Sequence, residues 1–350
     1  MLASRHVMLP QPSLSIRVWN GTPNELMLKA AEVTRTGIGL PAYYNDEVII
    51  PALLNRGLTF EDARSYNIIG CVEPQCPGKT DGWHDAAFFN MCRPLELVFS
   101  NGMDKGEQIS IQTGRVENFK TFDAFYDAYK AQMNYMIKLL VNADNSIDVA
   151  HAERCPLPFE SSMVEDCIRR GKSVQEGGAV YNFTGPQGFG IANMADALYA
   201  IKTLVFDEKK ITLQEWKEAL ADNYGKPRED AAARDLTEQI VKELYAQQGT
   251  VSQQQAGQIF RTVQANDLPA EKKEKYDRLL DWIEQVPKFG NDDAVVDAFA
   301  RDVAYTYTKP LETFRNPRGG QYQAGLYPVS ANVPLGAQTG ATPDGRLAAT

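Results

Sequence analysis

One short segment of the sequence places a thiol and a carboxylate two residues apart. Residues 70–75 read GCVEPQ, so Cys71 and Glu73 flank a single valine. Alternate side chains of an extended chain point to the same side, so the two groups would face one pocket. A thiol beside a carboxylate can do covalent or radical chemistry, with Glu73 as the proton acceptor. The alternative interpretation is a buried structural cysteine with a solvated Glu73 beside it.

The rest of the composition excludes several other kinds of site. Five cysteines are spread over 350 residues without a CxxC pair, and there are three histidines. A zinc ribbon, a thioredoxin motif, a disulfide framework and a multi-histidine metal site are therefore disfavoured, and we expect no bound cofactor or metal. Reduced cysteines fit the cytoplasm, which is the predicted location.

Charge and hydropathy argue against nucleic acids and membranes as partners. The net charge of -9 would be repelled by nucleic acid or by an anionic lipid surface. The sequence contains no apolar run of the length that a membrane helix needs, and its first residues do not resemble a signal peptide. Nucleic acid and membranes are therefore disfavoured as partners.

The elements around these residues alternate between short apolar strands and capped helices, which is typical of an α/β core. The apolar run Tyr66–Ile69 predicts a strand that opens into the loop of Cys71, and catalytic groups of α/β barrels commonly lie in such loops. Apolar residues at helical spacing predict a helix from Phe122 to about Val141. Residues Thr59 to Asp62 are predicted to begin another helix. Thr212 with Glu215, and Ser252 with Gln255, are predicted to form capping boxes at the start of two further helices.

Three other segments are assigned from their composition. Residues 224–286 are charged and contain few strand-forming residues, so we interpret them as a peripheral helical insertion. Residues 185–190 read GPQGFG and lack the lysine of a phosphate-binding loop, which favours a tight turn. Residues 316–346 are dense in glycine and proline and predict tight turns around short strands such as Ser330–Leu335.

Longer motifs resemble those of one family. The run YNIIGCVEPQCPGKTDGWHDAAFFN resembles the cysteine finger loop of glycyl radical enzymes in the pyruvate formate-lyase-like superfamily. The similarity extends through AHAERCPLPFESSMVEDC, EGGAVYNFTGPQGFGIAN, KFGND, NPRGGQYQAGLYPVSANV and TGATPDGR. It covers nearly the whole chain apart from residues 224–286.

The resemblance implies a fold and a mechanism. Residues 1–350 would be part of a pyruvate formate-lyase (PFL) domain, a ten-stranded α/β barrel with surrounding helices and the cysteine finger loop inside. In this family a stored glycyl radical takes the hydrogen of the cysteine, here Cys71. The thiyl radical then abstracts hydrogen from a hydroxylated substrate carbon, Glu73 accepts the hydroxyl proton, and a group leaves from the adjacent carbon.

Other residues of the motifs distinguish the branches of the family. Pyruvate formate-lyases carry two adjacent cysteines, and choline lyases replace GWHD with a threonine-containing segment. His84 and Asp85 match the glycerol and propanediol dehydratases, which implies that Asp85 binds a substrate hydroxyl. His84 is a weaker candidate for substrate binding, and its alternative is a histidine satisfied inside its own loop. Pro334 and Leu335 stand where glycerol dehydratases have a tyrosine, so they are candidate contacts to a different substrate.

The resemblance also implies parts that this sequence does not contain. The radical glycine of the family lies in an R-V-x-G-Y or R-V-x-G-F segment, whereas the Arg-Val pairs here are Arg17-Val18 and Arg115-Val116 and continue differently. We therefore expect a central fragment of a homodimeric enzyme, whose radical is installed by a radical S-adenosylmethionine activase. The predicted reaction is dehydration of a small diol. The alternatives are an isethionate-type C–S lyase, a formate C-acetyltransferase-like enzyme, or a non-catalytic truncated chain.

Overall fold

A computed structural model describes residues 14–37, 40–70, 72–227, 231–264, 268–327 and 331–350, with the backbone alone at 231–235 and 260–264. The strands are β1 Ser15–Val18, β2 Ala42–Asn45, β3 Asn67–Ile69, β4 Glu73–Gln75, β5 Thr80–Asp81, β6 Phe88–Asn90, β7 Met103–Asp104, β8 Glu107–Gln108, β9 Tyr181–Asn182 and β10 Gln187–Phe189. The helices are α1 Asn24–Thr34, α2 Asp46–Asn55, α3 Phe60–Arg64, α4 Arg93–Phe99, α5 Phe122–Arg154, α6 Pro158–Met163, α7 Cys167–Arg170, α8 Ile191–Ile201, α9 Leu213–Ala221, α10 Ala231–Gln248, α11 Gln253–Gln264, α12 Ala270–Gln285, α13 Ala294–Leu311 and α14 Asn332–Ala337. The predicted mixture of helices and strands is confirmed.

The chain divides into two compact units. The first comprises the described residues up to Ala86 together with Asp144–Gly185 and Phe314–Gly325, and the second comprises Ala87–Ala143, Pro186–Thr313 and the described residues from Leu326 onward. In the first unit β1 pairs with β2 and β5 with β9, both in parallel, while β3 and β4 form an antiparallel hairpin. In the second unit β6 pairs with β10 in parallel and β7 with β8 antiparallel.

The core of the first unit lies beneath the β3–β4 hairpin. It consists of buried side chains from α2, α3 and the adjoining strands, namely Tyr44, Leu53, Leu58, Ala63, Tyr66, Cys76 and Phe183. A fully buried leucine such as Leu53 contributes about 1.5–3 kcal/mol through removal of apolar surface from water. Helix α3 begins at the predicted cap, because Thr59 accepts a hydrogen bond from the Asp62 amide. The hairpin therefore rests on a packed apolar base.

The second unit is built around helix α8, most of whose side chains are buried or half-buried. Met194, Ala195, Leu198 and Ile201 are fully buried, and α8 packs against α13. Small alanines let the two helices approach closely. Both predicted capping boxes are confirmed: Thr212 and Glu215 cap α9, and Ser252 and Gln255 exchange reciprocal hydrogen bonds before α11.

Three sequence-based boundaries differ from the structure. Helix α5 continues past Val141 to Arg154, because the polar residues of its last turns face buried partners rather than ending the helix. Residues 187–189 of the expected tight turn form strand β10, whose partner in the sheet is β6. Residues 332–335 of the expected strand Ser330–Leu335 belong to helix α14, and Ser330 itself lies outside the described residues.

Candidate active site

The β3–β4 hairpin carries the segment in which the thiol and the carboxylate were predicted. Ile69 pairs with Glu73 as the last register of the hairpin, and Gly70 adopts a φ of 57°, a left-handed conformation that favours glycine. Cys71 lies outside the described residues, between Gly70 and Val72. Glu73 is therefore placed at the first position of β4, and it follows Cys71 by two positions in the sequence.

Glu73 is a buried carboxylate, only 3% exposed, so it is not the solvated side chain of the alternative interpretation. Its Oε2 accepts a hydrogen bond from the Val72 amide at 3.0 Å, which bends the carboxylate back under the turn. A Cβ at position 70 would lie 3.0 Å from the same oxygen, so glycine leaves room for this approach. The carboxylate is thereby held close to the turn of the hairpin.

Asp85, twelve positions further along the chain, is hydrogen-bonded to Glu73 through its side chain. Partial desolvation, followed by the charge of Glu73 and this hydrogen bond, raises the pKa of Asp85 above its ordinary value. A hydrogen bond between two carboxyl groups needs one shared proton, and the raised pKa of Asp85 favours such sharing. The structure therefore joins two predicted site residues in one carboxyl–carboxylate pair, which can hold and move a proton.

His84 lies beside this pair and is 8% exposed. The pKa of His84 is lowered to about 4, mainly by burial; the charge of Glu73 opposes this change, and the positive charge of Arg318 adds to it. The imidazole is therefore neutral at physiological pH. A Cβ at Gly82 would collide with the imidazole, and one at Gly185 would lie 2.9 Å from the His84 Cα. The imidazole therefore has room at this position only because residues 82 and 185 are glycines.

Two further contacts fix the loop around His84. The Gly185 amide donates to the Trp83 carbonyl at 3.0 Å, and the Trp83 ring meets the His151 ring edge to face at 5.6 Å between centroids. Trp83 itself has a φ of 23°, an unusual backbone conformation for a residue with a side chain. These contacts hold the loop in a conformation that a free chain would rarely adopt.

Sequence reasoning missed Arg318, whose charge acts on His84. The NPRGG segment was noticed as a family motif, yet no role was assigned to its arginine. Arg318 is 7% exposed and forms ion pairs with Asp81 and Asp148. A signal was present in the sequence, since an arginine between proline and two glycines in an otherwise uncharged turn has no local partner. Its partners lie far away in the sequence.

The remaining predicted residues lie in the second unit. Pro334 and Leu335 are part of helix α14, with Pro334 exposed and Leu335 half-buried. The Leu335 carbonyl accepts a hydrogen bond from the Thr339 hydroxyl at 2.7 Å. Their assignment to a substrate pocket stays a prediction.

Within the described ranges, no cluster of three or more histidine, cysteine, aspartate or glutamate side chains has an arrangement that could hold a metal ion. No helix in the described part of the chain combines the length and the apolar character needed to cross a membrane.

Comparison with known proteins adds the family context. A family model described as pyruvate formate lyase-like matches residues 1–336. A (2S)-3-sulfopropanediol dehydratase from Klebsiella oxytoca is 33% identical over 345 residues, which are 98% of this chain and 36% of the relative. A trans-4-hydroxy-L-proline dehydratase from Clostridioides difficile is 31% identical over 344 residues, covering 97% of this chain and 37% of the relative.

Solved structures give closer similarities. A structure reported for 1,2-propanediol dehydration in Roseburia inulinivorans is 62% identical and superimposes with a TM-score of 0.84, covering 99% of this chain and 39% of the other. The glycerol-bound B12-independent glycerol dehydratase of Clostridium butyricum is 50% identical with a TM-score of 0.81, covering 99% of this chain and 38% of the other. The chain thus spans less than two fifths of the length of these relatives.

Proposed function

Because the chain belongs to the pyruvate formate lyase-like family, we propose that it supplies the cysteine finger loop of a glycyl radical dehydratase. The observation that carries the proposal is the buried Glu73, hydrogen-bonded to Asp85 and placed at the first position of β4, two residues after Cys71. A carboxylate that is shielded from water and lies two residues from a thiol in the sequence suits proton abstraction from a substrate hydroxyl. The 62% identity to a structure concerned with propanediol dehydration favours a small vicinal diol as substrate.

Each residue has one role in the proposed reaction. The family's glycyl radical, stored outside this chain, supplies the unpaired electron. The Cys71 sulfur takes a hydrogen atom from the substrate carbon that bears a hydroxyl group, and Glu73 takes that hydroxyl's proton. The second hydroxyl leaves the adjacent carbon as hydroxide and combines with the proton from Glu73 to give water. Cys71 then returns its hydrogen atom, so a diol becomes an aldehyde and water.

The other site residues bind rather than react. Asp85 orients the second hydroxyl, which would replace its hydrogen bond to Glu73 when the substrate enters. His84, being neutral, can donate or accept one hydrogen bond without adding charge. Pro334 and Leu335 supply an apolar contact in place of a tyrosine, which favours propane-1,2-diol over glycerol because the former presents a methyl group.

The rest of the enzyme belongs to the same proposal. We infer that the described strands and helices form part of the ten-stranded barrel of the family, with the cysteine loop inside it. Residues 1–350 would be part of one PFL domain, and residues 224–286 a peripheral helical insertion. The complete enzyme would be a cytoplasmic homodimer activated by a radical S-adenosylmethionine enzyme. Family membership and the 36–39% coverage of the relatives named above support this part of the proposal.

An anaerobic substrate panel tests the proposal. The full-length, activated enzyme is incubated separately with propane-1,2-diol, glycerol, isethionate, choline, and pyruvate with coenzyme A. We expect propanal from propane-1,2-diol as the fastest reaction. Sulfite from isethionate without any aldehyde from the diols, or acetyl-coenzyme A with formate from pyruvate, would contradict the proposed substrate class. The 350-residue chain alone should give no protein glycyl radical signal in electron paramagnetic resonance after treatment with the activase.

A further inference from the structure

The guanidinium of Arg318 is surrounded by acceptors from three separate segments of the first unit. Its Nε lies 3.0 Å from both carboxylate oxygens of Asp148 on α5. Its Nη1 donates to the Asp81 carboxylate at 2.7 Å and to the Asp81 carbonyl at 3.0 Å. Its Nη2 donates to the Phe183 carbonyl at 2.6 Å and to the Thr184 hydroxyl at 3.1 Å. The five N–H groups of an arginine are thus all directed at acceptors, which fixes the plane of the group.

The turn that carries Arg318 is also hydrogen-bonded to residues 182–184. The Asn316 side chain donates to the Asn182 carbonyl at 2.9 Å and to the Thr184 hydroxyl at 2.8 Å. A Cβ at Gly320 would overlap the Asn182 carbonyl, so only glycine allows the turn to approach this closely. The position of the backbone around Arg318 is therefore fixed by its own contacts, as that of the guanidinium is.

The segment held by Arg318 leads directly into the candidate site. Asp81 is the last residue of β5 and precedes the loop that carries His84 and Asp85. The same loop is tied to residues 183–185, since the Phe183 amide donates to the Asp81 carbonyl and the Gly185 amide to the Trp83 carbonyl, both at 3.0 Å. Arg318 bridges these two segments where the loop begins.

We propose that Arg318 is a positioning residue of this site, which fixes the loop Asp81–Asp85 against residues 183–185 and helix α5 so that His84 and Asp85 face Glu73. It does not contact Glu73 or the reacting atoms in the proposed mechanism, so its influence passes through the loop. The inference rests on the proposed function only for its effect on turnover. The geometric part concerns this chain alone.

The positive charge of Arg318 gives the proposal a second observable consequence. Two charges act on His84, namely that of Glu73 within the site and that of Arg318, which pairs with Asp81 at the start of the loop. Burial is the main cause of the low pKa of His84, and the Arg318 charge acts in the same direction. Loss of this charge should therefore make His84 easier to protonate. A residue that only filled space would not have this effect.

Two substitutions separate the geometry from the charge. Arg318→Gln removes the charge and most of the donors, whereas Arg318→Lys keeps the charge but loses the planar fork. The matched control is Arg93→Gln, because Arg93 in the second unit is also held between two carboxylates, those of Glu96 and Asp104. The sequence contains three histidines, so a histidine-labelled chain gives few signals, and His84→Asn assigns the relevant one.

The experiment combines histidine titration with amide hydrogen exchange, both by nuclear magnetic resonance on the 350-residue chain. We expect Arg318→Gln to move the His84 midpoint upward, Arg318→Lys to leave it near the wild-type value, and both to accelerate exchange at residues 81–85. Arg93→Gln should change neither. An unchanged His84 midpoint in a folded Arg318→Gln chain, or unchanged exchange in both variants, would overturn the proposal. Loss of the native spectrum in Arg318→Lys would overturn it too, since Arg318 would then support the whole unit rather than the loop.

Turnover in the full-length activated enzyme is a separate measurement. Arg318→Lys should raise KM for propane-1,2-diol by a larger factor than it lowers kcat, because a displaced loop binds the diol poorly while Cys71 and Glu73 remain intact. If the exchange and titration results are as expected but the wild-type enzyme does not dehydrate diols, the proposed function fails and the positioning role remains.

Discussion

The loop Asp81–Asp85 and the helical hairpin α10–α11 are stabilised in opposite ways. The loop is held by Arg318, whose hydrogen bonds to Asp81 and Asp148 span 237 and 170 positions of sequence. The hairpin, in the second unit, has polar contacts within its helices, such as Gln239 to Glu243 in α10 and Ser252 to Gln255 at the start of α11, which span four and three positions. The candidate site thus depends on a few buried charges that are distant in sequence, whereas the polar contacts of the hairpin are local and exposed.

The largest expected effect is the loss of turnover when Cys71 is replaced. Cys71→Ser should abolish turnover of the full-length activated enzyme, because a hydroxyl does not give up its hydrogen atom as a thiol does. Cys155→Ser is the matched control, since Cys155 is an exposed free thiol, and it should retain wild-type activity. Aldehyde formation from propane-1,2-diol under anaerobic conditions is the measurement. Retained turnover in Cys71→Ser would show that another residue carries the radical.

Removal of the proposed base, Glu73, should lower kcat strongly but should not abolish turnover. Glu73→Gln keeps the volume and loses the negative charge, so it should lower kcat by about 10²–10⁴-fold, the usual contribution of a positioned general base. Glu238→Gln in α10 changes an exposed glutamate in the contrasting region and should leave kcat unchanged. Steady-state kinetics of both variants provide the comparison. Equal rates for Glu73→Gln and wild type would exclude Glu73 as the base.

Stability should respond differently in the two regions. Asp148→Ala removes one partner of a buried ion pair and should lower the free energy of unfolding by about 3–5 kcal/mol, because Arg318 keeps its charge in a buried position. Glu238→Ala breaks an exposed pair with Lys242 and should cost about 0.5 kcal/mol or less. Urea unfolding of the 350-residue chain measures both. Similar losses in the two variants would contradict the contrast drawn above.

The buried acids near Arg318 also predict a dependence on pH. Burial, and then the charge of Asp148, raises the pKa of Asp144 to about 7, and its Oδ2 has no hydrogen-bond partner among the described residues. The folded state therefore holds the proton more tightly than the unfolded state, so the stability contributed by this group falls as the pH rises from about 4 to about 7.

Asp144→Asn imitates the protonated form and should remove this loss. The variant should be more stable than wild type by roughly 2 kcal/mol at pH 8, with the difference shrinking toward pH 4. Asp127→Asn, an exposed position on the same helix, is the control and should show no such trend. Urea midpoints between pH 4 and 8 give the result. A difference that does not vary with pH would mean that Asp144 is ionised throughout.

A smaller, local effect is expected from the cap at the start of α11. Ser252→Ala removes the side-chain oxygen that accepts the Gln255 amide and should cost about 1 kcal/mol. Ser252→Asn keeps an acceptor at the cap and should cost less. Hydrogen exchange in α11 is the appropriate measurement, because the effect is local. An equal loss in both variants would show that the cap does not stabilise this helix.

Features that depend on neighbouring residues were predictable from the sequence. The caps of α3, α9 and α11 follow from Ser or Thr with an acceptor partner three positions later, and the structure confirms them. The family could be predicted as well, because motifs such as GCVEP and GWHD keep their residue types and spacing. These signals need no knowledge of what lies nearby in space.

Features that depend on distant partners were not predictable. The apolar residues at helical spacing predicted that α5 ends near Val141, yet the helix continues through Asp148, which pairs with an arginine that follows 170 positions later. Residues 187–189 were expected to form a turn because of their glycines, although their strand partner is β6. The pairing of Glu73 with Asp85 was likewise hidden, since the sequence placed both in one pocket without indicating a contact. Each failure has the same cause: a tertiary partner outweighs the local preference.

The position of Arg318 in the sequence has a consequence for biosynthesis. A ribosome makes roughly 5–20 residues per second, so the 237 positions between Asp81 and Arg318 correspond to about 10–50 s of elongation. During that interval the loop with His84 and Asp85 has been synthesised but lacks its anchor. We expect nascent chains arrested before residue 318 to be cut readily by proteases at residues 81–85, and chains arrested well beyond it to be protected there. Slow codons between these positions would lengthen the period in which the loop is exposed to degradation.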